Sequence, residues 1–215
     1  MFNRQLLAVP DSVMPKRAHP DDARARIVAA ARLHFFAHGF RGVSMDDLAA
    51  EVGMSKKTLY AHFKSKTALV EAILRDKFDQ LDRELDDIVA QSSKDVLRGL
   101  HQLLECMQRQ VGEIQPRFVR DIRRDEPQMF ELIRKRRSAA ISRCFAAVLK
   151  NGRKAGIFRK ELSLKPTIEI LLGATDAIVT PSKLAELGLT PQQAYSAVMT
   201  IFLDGVLTPK GRRAL

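Results

Sequence analysis

The sequence predicts an all-α fold: a small N-terminal bundle of three helices followed by a larger helical body, about nine helices in all. Three observations predict it. Apolar residues recur at helical spacing, as with Ile27, Ala31 and Phe35, which share one face. Strand-type alternation is absent. Prolines and glycines fall between segments of helical length, and several prolines stand where the first helical turn tolerates them. The expected divisions are residues 1–19 for an N-terminal arm, 20–66 for the bundle and 67–215 for the body.

The arm begins "MFNRQLLAVPDSVMPKRAHP", with three prolines in twenty positions and one four-residue apolar run. It reads as a flexible extension and not as a signal peptide. Met14 is an alternative start. The first helix is expected over 20–38, with Asp21 and Asp22 in its first turn, where negative charge suits the helix dipole, and Gly39 as its stop. Two short helices follow, near 45–52 and 56–63. Ser44 and Ser55 stand at their N-cap positions, where a hydroxyl accepts from a free backbone N–H. A long helix starts after Ser65 and continues towards Ile88. Further helices are expected near 94–112, 116–124, 127–151, 166–179 and 191–207. The stretches "GRKAGIF" and "TPSKLAELGLT" are read as loops between the last three.

Composition narrows the function. The chain has 215 residues and 46% hydrophobic content, enough to bury a real core. A formal charge of +11 and an isoelectric point near 10.0 fit a partner that is an acidic polymer or an anionic surface. The charge is also placed. From Val52 to Leu69 there is no Asp or Glu, yet there are four lysines. Cys106 and Cys144 form no CxxC pair, which fits a reducing compartment and core packing. No apolar run approaches the roughly 18 residues of a membrane span, so a cytoplasmic protein with no membrane partner is expected. His34 and His38 are spaced i, i+4 but lack a third ligand, so no metal site is read there. No P-loop, GxGxxG or GxSxG occurs, and no catalytic set converges. The expectation is a protein that is not an enzyme and carries no cofactor.

The lysine-rich stretch has the spacing of a helix-turn-helix. With Met45 as position one, Ala49 falls at five, Gly53 at nine and Leu59 at fifteen. The small residue lets the second helix cross the first, and the glycine accepts a left-handed turn. Leu48, Val52, Leu59 and Phe63 supply the internal contacts. Such a unit presents its second helix as a reading head in a DNA major groove. Lys56, Lys57 and Thr58 open that helix. A lysine donates to guanine O6 and N7, and the threonine methyl meets a thymine methyl. Ser44, Ser55 and Lys66 stand at helix N-termini, which favour phosphate. Lys16 and Arg17 in the arm are further candidates for a groove or phosphate contact.

The segment "FFAHGFRGVSMDDLAAEVGMSKKTLYAHFKSKTALVEAIL" resembles the DNA-binding region of the tetracycline-repressor (TetR) family over about residues 27–74. The resemblance implies a homodimeric, nucleoid-associated transcription regulator of bacteria, most often a repressor. Its body would bind a small molecule that releases it from a palindromic operator in double-stranded DNA. By the same resemblance Tyr60 and His62 contact phosphates. One departure is His34, which stands where the family usually has leucine, with Leu33 displaced to the neighbouring position.

In the body, Leu97, Leu100, Leu104, Met107 and Val111 form one stripe, bordered by His101. A second stripe around Phe130, Ile133, Ile141 and Phe145 includes Arg137, and Thr175 and Asp176 sit among apolar neighbours. Polar groups on apolar stripes need partners, so His101, Arg137, Thr175 and Asp176 are the candidate ligand contacts. The segments "IEILLGATDAIV" and "AYSAVMTIFLDGVL" are apolar over much of their circumference and are the candidate dimer interface. The long helix after Ser65 is the expected lever between head and pocket. The competing reading is a ligand-independent, nucleoid-organising DNA-binding protein acting through protein contacts. A cavity in the body decides between the two.

Overall fold

A computed structural model of the chain describes residues 20–214. The expected arm, with Lys16 and Arg17, lies outside the described residues. Eleven helices follow in order: α1 (Pro20–His38), α2 (Met45–Glu51), α3 (Lys56–His62), α4 (Lys66–Ser92), α5 (Val96–Glu113), α6 (Pro116–Asp125), α7 (Pro127–Lys154), α8 (Leu164–Ile178), α9 (Pro181–Leu187), α10 (Pro191–Val206) and α11 (Pro209–Ala214). Among the described residues the only β-type pairing is an isolated antiparallel bridge between Phe158 and Leu207. It ties the loop after α7 to the end of α10.

Two helices exceed the expected nine, α9 and α11. The segment read as the loop "TPSKLAELGLT" in fact contains α9. Thr180 caps it by accepting from the Lys183 N–H, Pro181 opens it, and Gly188 closes it in the left-handed region at φ 64°. All three signals are visible in the sequence. A seven-residue helix is too short to show an apolar period, so only its ends announce it.

The head is built from α1 to α3 and the start of α4. Ile27, Ala31 and Phe35 of α1 are fully buried against Leu48, Leu59 and Leu69. Burying one such leucine contributes about 1.5–3 kcal/mol. Leu33 is 73% exposed, one helical step away from that stripe, and half-buried His34 takes the inner edge and reaches Glu51 at 3.4 Å. The displaced leucine therefore adds nothing to the core.

The body forms around the 27-residue α4, which packs on α1, α5 and α7. Its buried Ile73, Phe78, Leu81, Leu85 and Ile88 keep one face inward over the whole length. The lid of the body is α8 to α10, with α10 resting on α5 and α8. The start of α10 is a capping box. Thr190 Oγ1 accepts from the Gln193 N–H at 3.2 Å, and Gln193 Oε1 accepts from the Thr190 N–H at 2.8 Å. Thr190→Ala removes one half of this exchange. The expected cost is about 1 kcal/mol, read as a lower urea midpoint at unchanged slope. Among the described residues no helix is long and apolar enough to cross a membrane.

Candidate functional site

The α2–turn–α3 unit is set by its caps. Ser44 Oγ accepts from the Asp47 N–H at 3.1 Å while Asp47 Oδ2 accepts from the Ser44 N–H at 2.9 Å. The Ser44 hydroxyl also donates to Asp47 Oδ2 at 2.6 Å, and this bond, followed by the one from the Ser44 N–H, holds the Asp47 carboxyl below its usual pKa. Gly53 takes the turn at φ 67°, and Met54 N–H closes it on Ala49 O at 2.9 Å. Ser55 then caps α3 by accepting from the Thr58 N–H at 3.1 Å, and the two hydroxyls lie 2.8 Å apart. Buried Leu59 anchors α3 to Leu48 and Ala49, so the rest of its surface faces away from the bundle.

That outer surface carries Lys56, Lys57, Thr58 and Tyr60, all exposed, with His62 half-buried at the end. The two lysines differ. Lys56 Nζ is paired with Asp46 of α2 at 2.8 Å. Lys57 has no ion-pair partner among the described residues. Lys66 opens α4 as expected and is half-buried; its ammonium lies 4.4 Å from the centre of the Phe40 ring, and burial lowers its pKa against the pull of Asp121, Asp125 and Asp47. What this end of α4 offers an anion is its first-turn backbone N–H groups.

Behind the head, α4 to α9 surround a cleft of about 1090 Å³. Phe78, Val111, Ile122, Phe130 and Ile133 make it mainly apolar. Arg137, Thr175 and Asp176 all line it. The Thr175 hydroxyl donates to Leu171 O at 2.8 Å. Burial lowers the Arg137 pKa, opposed at range by Asp176 and Tyr195. Arg137 has no hydrogen-bond or ion-pair partner among the described residues. His101 is the correction. It is exposed on α5 and does not line the cleft. Leu100, Leu103 and Met107 define the buried stripe, and His101 stands about 100° round the helix from Leu100.

Three cleft residues were not legible in advance. Arg123 of α6 and Arg134 of α7 both line it, and Tyr195 of α10 lines a narrow pocket that shares Arg137, Thr175 and Asp176 with it. Arg134 precedes Arg137 by three residues, a spacing that shares a helix face. Tyr195 lay within a segment assigned to the interface. The run Arg134–Arg137 spreads around its helix. Arg134 pairs with Glu131 at 3.0 Å, Arg136 reaches Asp82 on α4 at 3.0 Å, and Arg137 turns to the cleft.

Head and cleft are joined by more than α4. On α6, Phe118 meets the Phe36 ring edge-on at 5.2 Å, Asp121 Oδ2 accepts from the Arg41 N–H at 3.1 Å, and Asp125 pairs with Arg41 at 2.6 Å. A side chain at Gly39 would bring a Cβ within 2.7 Å of Asp121 Oδ2, at a φ of 81° that already favours glycine. Arg120, Ile122 and Arg123 of the same helix line the cleft. A second joint is polar: Glu113 at the end of α5 binds both Arg32 of α1 and Lys77 of α4.

The described residues thus join a capped helix-turn-helix to a helical body with an apolar cleft. Residues 27–73 match the family model for bacterial regulatory proteins of the tetR family. An HTH-type transcriptional regulator of Bacillus subtilis (strain 168), YvaF, is 41% identical over 61 residues, which is 28% of this chain and 32% of that protein. Matches of this kind span about a third or less of the relatives' length. The HTH-type transcriptional repressor KstR2 of Mycolicibacterium smegmatis is 26% identical over 200 residues, covering 90% of this chain and 95% of that protein. A TetR transcription regulator from Haloarcula marismortui ATCC 43049 shares the fold at a TM-score of 0.69 and 18% identity, over 87% of this chain and all of that one. The comparisons support a tetR-type regulator: the family model matches the head, and the KstR2 alignment runs over most of both chains.

Proposed function

We propose that this chain is a transcriptional repressor that binds a palindromic operator as a homodimer and is released by a small molecule. The observation that carries the reading is the acid-free outer face of α3, held by two serine caps and a left-handed glycine, on the same chain as a cleft of about 1090 Å³. Lys57 and Thr58 read base edges, while Ser44, Ser55, Tyr60, His62 and the start of α4 hold phosphates. Lys56 joins them once DNA phosphate competes with Asp46. Arg137, Thr175 and Asp176 contact the effector. Residues 20–66 act as the reading head and 67–215 as the sensing and pairing body, in the bacterial cytoplasm on the nucleoid.

Pairing is assigned to α8 and α10. Ile170 and Ile201 are 67% and 76% exposed on these helices, beside the exposed small residues Gly173, Ala197 and Gly205. A contiguous apolar patch with small residues suits close approach of a second copy. The repressor assignment draws on the name of KstR2, whose match spans most of both chains. The alternative of a ligand-independent nucleoid protein gives no role to the cleft.

Selection of bound sites from random duplex DNA tests the reading. The expected result is an enriched inverted repeat, bound by a dimer of 24.2 kDa chains in sedimentation, with affinity falling steeply as salt rises. Enrichment of no sequence, or of a lone half-site bound by a monomer, refutes it.

A further inference from the structure

We infer that the cleft takes an amphiphilic organic anion, a carboxylate on a large apolar body, with the anionic group seated between Arg137 and Tyr195. This rests on the ligand-responsive reading above and adds the chemical class of the effector.

The charge of the lining is one-sided. Six cationic side chains, one lysine and five arginines, face two carboxylates, Glu131 and Asp176. Glu131 is engaged by Arg134 at 3.0 Å, and Lys77 by Glu113. Of the four arginines that remain, Arg120, Arg123, Arg124 and Arg137, only Arg137 also lines the narrow pocket with Tyr195. Asp176 acts on Arg137 only at range, without an ion pair. A half-buried guanidinium with no partner among the described residues is costly, and an arriving carboxylate offsets that cost through two parallel hydrogen bonds.

The second observation is independent. Tyr195 Oη is buried and has no hydrogen-bond partner among the described residues. It lines the narrow pocket together with Arg137 and Thr175. The phenol O–H is a donor lacking an acceptor, as is the guanidinium. One acceptor-only, negatively charged group satisfies both. A neutral ligand leaves the charge uncompensated, and a cation adds to it. The remaining wall, including Phe78, Ile122, Phe130 and Ile133, is apolar and calls for a hydrocarbon body. The size of the cleft exceeds what a short-chain acid fills.

The test uses the full chain with three probes: dodecanoate, hexadecanoate and the polycyclic carboxylate deoxycholate, each below its micelle concentration. Each is compared with its methyl ester by calorimetric titration and thermal shift. At least one acid is expected to bind ten or more times tighter than its ester. Between dodecanoate and hexadecanoate affinity rises by up to about fourfold per methylene while the cleft is filling. Arg137→Met is expected to erase the acid-over-ester preference, and Tyr195→Phe to reduce it several-fold. If no acid binds, if esters bind equally, or if Arg137→Met keeps the preference, the assignment is overturned. Site selection with the unliganded protein separates the two ideas. Operator binding without acid binding leaves the repressor reading standing and removes only the ligand class. Acid binding by a chain that selects no DNA site does the reverse.

Discussion

Replacing Lys57 by glutamate is expected to weaken operator binding by at least about 30-fold while leaving the fold intact. Lys57 is exposed on α3 and unengaged, so the fold loses nothing of consequence, and surface substitutions of this kind shift stability by less than about 0.5 kcal/mol. On DNA the change is felt in both copies. A lost lysine contact costs about 1–3 kcal/mol, so two cost about 2–6 kcal/mol, and each 1.4 kcal/mol is tenfold. Repulsion of the new carboxylate by phosphate adds to this. Fluorescence anisotropy on the selected duplex over a salt series measures the effect and also tells the role. If Lys57 holds phosphate, the salt slope falls by about two for the dimer. If it holds a base edge, preference relaxes at one position of each half-site. Equal affinity of variant and parent would remove α3 as the reading helix.

Glu113→Ala is expected to destabilise the chain by about 2–4 kcal/mol. The carboxylate is shared by Lys77, whose side chain is only 4% exposed, and by Arg32. Removing it strands the lysine with Gln110 as its one remaining partner. Breaking a buried pair costs about 3–5 kcal/mol, and the lower figure here reflects the 30% exposure of Glu113. Lys77→Met should cost less, because Glu113 keeps Arg32. The pH dependence has a definite sign. Burial pushes the Glu113 pKa up, but hydrogen bonds from Lys77 and Arg32 outweigh it, and the folded value lies below the ordinary 4.5. The unfolded chain therefore binds the proton first. The contribution is complete above about pH 4.5 and is lost as pH falls through the lower folded value. Urea midpoints of parent and Glu113→Gln should converge on acidification across that window. A constant gap down to pH 3 would contradict the pairing.

The head was legible because its determinants are local. Ser44, Gly53 and Ser55 act within three or four residues of themselves, and each does in the structure what its position predicts. Arg137 was legible for a related reason: an arginine inside an apolar helical stripe has few places to go. His101 failed because a stripe-edge position is decided by a rotation of less than one residue, which neighbouring helices set. The packing of the Lys66 side chain was not legible because its environment is made by Phe35 and Phe40, some thirty residues earlier in the chain. The cleft itself was not legible in outline. It depends on how α4 to α9 converge, and no local pattern encodes that convergence.

Helix α6 has obligations on both sides. Phe118, Asp121 and Asp125 grip the head, and Arg120, Ile122 and Arg123 wall the cleft within the same ten residues. Anyone retuning this chain as a biosensor for a new compound inherits that constraint. In the proposed ligand-released repressor, edits to α6 change the set point together with the selectivity, so libraries there should be screened for leakiness as well as for response.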